Sequence, residues 1–136
     1  MKTFDVFLNF DGNCREALDF YARVFGVEPT RVMTYDQAPG GMGEGNEGRI
    51  LYSSLPVFGS NMMLSDCPAG HPHARGTNVA LTLGTDDRDE IDRIFAALAD
   101  GGRVFMPLGK TFFSEYYGMV ADRFGLTWQL SLTPFD

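Results

Sequence analysis

Residues 8 to 25 recur, in chemical class, 73 positions further along the chain. Leu8 falls on Leu81, Phe10 on Leu83, Glu16 on Asp89, Leu18 on Ile91, Tyr21 on Ile94 and Phe25 on Leu98. Strand-face and helix-face positions recur together, so the repeat is one of supersecondary units rather than of isolated residues. Each copy reads β-α-β-β-β. A unit of that size makes an open sheet with a helix on one face, and its other face must be covered. The chain of 136 residues has room for both copies in one α+β domain, with module one at about 1–66 and module two at about 77–133. Curved mixed sheets from the two modules are expected to enclose a cavity.

Local signals support this reading in both halves. Residues 3–10 alternate and are rich in Phe, Val and Leu, which predicts a strand. Asp11-Gly12 is a turn. Asn13 then stands as an N-cap with Glu16 three residues on, the pattern of a capping box, and Gly26 ends the helical stripe. Strands are expected at 30–36, 48–56 and 60–66, the last two joined by a turn at Phe58-Gly59. In the second half, a strand at 78–83 leads to Thr85, Asp86 and Asp87 as competing caps. A helix carrying Ile91, Ile94, Phe95 and Leu98 follows, stopped by Gly101-Gly102. Strands at 103–108, 114–121 and 126–133 complete the unit, the last two linked by a turn over Asp122–Gly125.

Charge and composition exclude several partners. The formal net charge is −7 and there is no basic run, which argues against nucleic acid, since phosphates require clustered Lys and Arg. No stretch approaches the ~20 apolar residues of a membrane span. The opening residues, Met1 to Asp5, reach an acidic side chain without an apolar run of signal-peptide length. Cys14 and Cys67 are far apart and form no C-x-x-C pattern, so they read as free thiols of a reducing compartment, and the expected location is cytoplasmic. The Gly-rich segment Pro39–Gly45 lacks the G-K-[ST] ending and the following helix of a phosphate cradle, and reads as a hairpin loop. No Ser-His-Asp order or nucleophile elbow is present.

The run from Phe7 to Gly26, in particular Phe7-Leu8-Asn9-Phe10-Asp11-Gly12-Asn13 and Phe20-Tyr21-Ala22-Arg23-Val24-Phe25-Gly26, resembles the opening of the vicinal oxygen chelate superfamily. That superfamily includes glyoxalase I, extradiol dioxygenases and bleomycin-resistance proteins. Met63-Leu64-Ser65-Asp66, Gly101–Leu108, Thr111-Phe112-Phe113 and above all Tyr117–Leu130 are similar to its PhnB-like branch, often labelled as demethylubiquinone methyltransferase-like. The resemblance spans essentially the whole chain and implies a glyoxalase-like fold and a homodimer. An open sheet edge and face left by each module point to a second copy as well.

Metal-using members of the superfamily hold a divalent ion with His and Glu from the first and last strands of each module. Carried onto this chain, the first-strand positions fall on Asp5 and Asn78, which the 73-residue shift also pairs, and the last-strand positions on Ser54 and Gln129. One carboxylate, one hydroxyl and two amides form a poor set for a transition metal. The expectation is no metal and no cofactor. The two histidines, His71 and His73, share one polar loop and would have to turn inward together to help. Asp5, Ser54, Asn78 and Gln129 instead suit a polar pocket that hydrogen-bonds a small organic molecule, or else bond to each other and to the backbone. Tyr52 and Trp128, with Phe113, Tyr116 and Tyr117, form either an aromatic wall for that molecule or core and interface packing. Three functions therefore stand: a metal-free binding protein, a divalent-metal-dependent isomerase, lyase or dioxygenase, and a non-catalytic structural module.

Overall fold

The computed structural model describes residues 1–133. The chain forms two compact units, the first running from Met1 to Ala74 and the second beginning at Arg75. The described residues hold two α-helices and eight strands in two four-stranded mixed sheets, an α+β architecture.

In the first unit, β1 (Val6–Phe10) leads to α1 (Cys14–Phe25), then β2 (Arg31–Thr34), a 3-10 turn at Tyr35–Gln37, β3 (Ile50–Val57) and β4 (Ser60–Asp66). The sheet order is β1-β4-β3-β2, with β1 parallel to β4 and the other pairs antiparallel. The β3–β4 hairpin turns on Phe58 (φ 48) and Gly59 (φ 80). Two successive left-handed residues match the twist of the strands they join, which is why glycine stands second. Helix α1 buries Cys14, Ala17, Leu18, Phe20, Tyr21 and Val24. They meet a sheet face whose buried residues include Phe10, Ile50, Leu55, Met62 and Leu64. Each fully buried large side chain contributes about 1.5–3 kcal/mol. The apolar alternation of β1 and β4 therefore selects which face of the sheet the helix covers.

The second unit repeats the plan with β5 (Ala80–Thr85), α2 (Arg88–Ala99), β6 (Arg103–Gly109), β7 (Tyr117–Ala121) and β8 (Thr127–Leu132), in the order β5-β8-β7-β6. Its core packs Ile91, Ile94, Phe95 and Leu98 of α2 with Leu83, Val120, Trp128 and Leu130. Gly102, between α2 and β6, lies against β7. A Cβ there would sit 2.2 Å from the Ala121 carbonyl oxygen, so only glycine fits.

Three sequence expectations are corrected. The strand expected from Asn78 begins at Ala80, leaving Asn78 in an exposed bend. The helices are offset by 74 positions, Cys14 to Arg88, not 73. At 74 the buried positions Ala17, Phe20, Tyr21 and Val24 fall on Ile91, Ile94, Phe95 and Leu98. Packing, rather than chemical class, defines the helical register. Finally, Asn13 makes no side-chain cap hydrogen bond. The orphan donors of α1 are taken by Asp66 from the end of β4: its Oδ1 accepts from Gly12 N–H at 2.7 Å and Cys14 N–H at 3.0 Å. A buried carboxylate held at a helix N-terminus is a stronger acceptor than an exposed amide. In the second unit the competition among caps resolves to Asp87, which accepts from Glu90 N–H at 3.2 Å.

Candidate functional site

Strand alternation sends Val6, Leu8 and Phe10 toward α1 and Phe7 and Asn9 to the opposite face. On that opposite face the pairing register sets Phe7, Met63, Ser54 and Arg31 in one row across all four strands. Asp5 lies at the entrance to β1, where its Oδ1 accepts the Asn61 N–H at 2.9 Å. Together Asp5, Thr30, Arg31, Tyr52, Ser54, Asn61 and Met63 line an open cleft of about 430 Å³. The first unit thus brings together three residues singled out in the sequence, Asp5, Tyr52 and Ser54. Arg31, Asn61 and Met63 were missed. Their signal was the two-residue period of β2 and β4, which places them on the same face as Ser54.

The cleft keeps free polar groups among the described residues. The Ser54 hydroxyl is open to the cleft and makes no hydrogen bond there, while the Ser54 carbonyl accepts from Thr30 N–H at 2.9 Å and from Thr30 Oγ1 at 3.4 Å. Among the described residues the Arg31 guanidinium has no carboxylate within ion-pair distance. Ser54 also sits on β3, the third strand of its module, rather than on the last strand, β4.

In the second unit the equivalent face is self-satisfied. Gln129 pairs with Thr82 in the β5–β8 register and donates to its Oγ1 at 3.2 Å, while the Tyr117 hydroxyl donates to Gln129 Oε1. Burial pushes the Tyr117 phenol up, keeping it a donor. Asn78 lies exposed before β5. Trp128 points the other way, into the core, where its indole N–H donates to Asp122 Oδ2 at 2.8 Å. The aromatic group divides likewise. Phe113 meets Tyr117 edge-on at 4.9 Å, whereas Tyr116 lies under the Arg88 guanidinium and donates to Asp92.

A polar cluster closes the other end of the first sheet. Arg49 donates to Asp11 at 3.0 Å and to the Cys67 carbonyl at 2.8 Å. The guanidinium's hydrogen bond holds the Asp11 carboxyl below its usual range. Desolvation, and then the Asp11 charge, push the Cys67 thiol up. Cys14 is fully buried and burial raises it to about 12. Both thiols are poor nucleophiles. His73 Nε2 lies 3.0 Å from the Asn9 carbonyl, and His71 is exposed in the same loop.

One carboxylate, one hydroxyl and two amides are a weak donor set for a transition ion. Asp5 has one oxygen committed to Asn61, and Gln129 has its carbonyl oxygen committed to Tyr117. Among the described residues no three His, Cys, Asp or Glu side chains gather. Ser and amide groups do not replace imidazole or carboxylate at a transition ion.

The sequence model of the family described as 3-demethylubiquinone-9 3-methyltransferase matches residues 2–131. The chain belongs to this PhnB-like family. Its relatives include Escherichia coli protein YjdN, 28% identical over 93% of this chain and 92% of that protein. Among solved structures, PA1353 of Pseudomonas aeruginosa superposes with a TM-score of 0.83 at 31% identity, over 96% and 98% of the two chains. A Bacillus cereus PhnB protein, titled a putative 3-demethylubiquinone-9 3-methyltransferase, does so at 0.81 and 31%, over 97% and 100%. A more distant glyoxalase/bleomycin resistance/dioxygenase protein from Alicyclobacillus acidocaldarius, at 14% identity and a TM-score of 0.60 over 96% and 90% of the two chains, shares the fold alone. The PhnB-like chain is therefore glyoxalase-folded, with the side chains described above on that scaffold.

Proposed function

We propose that this PhnB-like protein binds a small organic molecule in the cleft of its first sheet, without a transition metal. The observation that carries this reading is the Ser54 hydroxyl, which opens to the cleft without a hydrogen bond among the described residues, beside an Arg31 that has no ion pair there. A polar group that reaches a cleft without an internal partner is available to a guest. Gln129 and Tyr117 satisfy each other and supply a fixed polar surface in the second unit. Trp128 and Asn78 contribute by position rather than by contact with a guest: one backs its sheet from the core, the other precedes β5.

Calorimetric titration with a panel of small carboxylates, amines and aromatic alcohols checks this. At least one class binds, Ser54→Val weakens it about fivefold by removing one hydrogen bond, and purified protein carries less than stoichiometric metal. Absence of heat across the panel, or stoichiometric Zn, Ni, Fe or Mn, overturns the reading.

A homodimer is proposed as well. The edge strand β6 exposes Val104, Phe105 and Met106 at 43%, 50% and 44%. Unpaired apolar edges of this kind favour pairing with another chain. Sedimentation at micromolar concentration is expected to give twice the chain mass, and a monomer would refute it. No helix among the described residues is long and apolar enough to cross a membrane. The two free cysteines suit a cytoplasmic, reducing setting.

A further inference from the structure

The cleft carries opposite charges on opposite strands. Arg31 belongs to β2 and Asp5 to the entrance of β1, and these are the two edges of the first sheet. Both line the same cleft, yet no ion pair joins them. Three inter-strand steps across and two residues along the strands separate their backbones by about 16 Å, and inward-reaching side chains leave a gap on the order of 10 Å between the charges. Between them lie Met63 and Ser54, a thioether and a hydroxyl open to the cleft, with Tyr52 one row beyond Ser54. Asp5 has its Oδ1 committed to Asn61 N–H, which leaves Oδ2 as an acceptor toward the cleft.

An opposite pair too far apart to neutralise itself favours a molecule bearing both charges at matching separation. A guanidinium takes a carboxylate through two parallel hydrogen bonds, and a carboxylate takes an ammonium as a point charge. Met63 gives a methylene chain an apolar contact within an otherwise polar lining. Resting on the cleft-binding reading above, we propose that the preferred guest is a dipolar organic acid. Its carboxylate meets Arg31, its ammonium meets Asp5, and a flexible apolar body crosses Met63.

The test is a length and charge series titrated at low ionic strength: ω-aminooctanoate, octanoate, octylamine and γ-aminobutyrate. ω-Aminooctanoate is expected to bind about tenfold tighter than the two single-charge compounds, and γ-aminobutyrate, too short to reach both groups, to lose that gain. Arg31→Gln brings ω-aminooctanoate down to the affinity of octylamine. Asp5→Asn keeps an acceptor for Asn61 N–H, and so keeps the strand entrance in place. It brings ω-aminooctanoate down to octanoate. Added salt weakens the dipolar compound most.

If octanoate or octylamine binds as tightly as ω-aminooctanoate, with Ser54→Val weakening all three, dipolar selection is overturned while the cleft remains a binding site. If none of the four binds but another class in the panel does so through Ser54, the dipolar proposal alone falls. If nothing in the panel binds, it falls together with the cleft reading.

Discussion

Asp66→Ala is expected to destabilise the protein by about 4 kcal/mol, lowering its urea midpoint by roughly 2 M. The Asp66 side chain is 1% exposed. Its Oδ1 accepts from Gly12 and Cys14 N–H, and its Oδ2 accepts from Ile50 N–H at 2.9 Å. One carboxylate therefore ties the start of α1, the start of β3 and the end of β4. The Tyr35 hydroxyl adds a bond to the Asp66 carbonyl at 2.8 Å. Alanine leaves three backbone donors without their acceptor, two of them buried at Cys14 and Ile50 and each costing about 1–3 kcal/mol, and removes a negative charge from the positive end of the helix dipole. Asp66→Asn separates the effects. One oxygen still accepts, but an NH₂ group now faces a backbone N–H, so it is expected to retain only part of the stability. Hydrogen exchange places the loss, with α1 and β3 amides losing protection first. An Asp66→Ala protein with an unchanged midpoint would mean that Asn13 or water takes over the cap at no cost.

Asp122→Ala is expected to cost about 3 kcal/mol in the second unit. Asp122 Oδ1 accepts from Phe124 N–H at 2.8 Å and Leu126 N–H at 3.1 Å, fixing the turn from β7 to β8, while Oδ2 accepts from the Trp128 indole. Short-range side-chain acceptors of this kind are what make Asp a turn residue. Here the residue is also 3% exposed, so its loss strands an indole N–H in the core. Trp128 is the sole tryptophan, so its fluorescence reports unfolding directly. Asp122→Asn keeps the turn acceptor and turns an NH₂ toward the indole N–H. Adding Trp128→Phe removes that conflict, so the double variant is expected to be more stable than the sum of the two single changes. Strict additivity would show that the indole bond contributes nothing.

The two aspartates also mark how far the sequence could be read. Asp122 followed by Arg123, Phe124 and Gly125 is a local turn signal, since its Oδ1 accepts from the Phe124 and Leu126 N–H groups, both within four residues. Asp66 carries no such signal. Its partners are 16 to 54 residues away, so its role as the cap of α1 appears only when β4 lies beside β1. The N-cap read at Asn13 failed for this reason: local chemistry named an acceptor, and a distant buried carboxylate displaced it. The repeat shows the same limit. Chemical class aligned strands and helices at one shift, but the helices pack at another, because burial depends on what each helix meets.

The candidate site divides along the same line. Asp5, Ser54 and Tyr52 were legible as polar or aromatic residues on strands. Arg31 and Asn61 were not, because a charged residue on a short strand looks like solvated surface until the pairing register places it across from Ser54. Trp128 and Gln129 are adjacent in sequence and were read together, but a strand sends neighbours to opposite faces. One therefore became core and the other part of a polar ladder.

The duplicated β-α-β-β-β plan, the helix and strand periods, the turns at Phe58-Gly59 and Asp122–Gly125, and the family are all legible in the order of residues. These rest on contacts between near neighbours and on apolar periodicity, both written along the chain. Which carboxylate caps α1, which residues share the cleft, and that Arg31 and Asp5 face it without pairing emerge only once the strands have paired. Those outcomes depend on strand order and register, which bring together residues tens of positions apart.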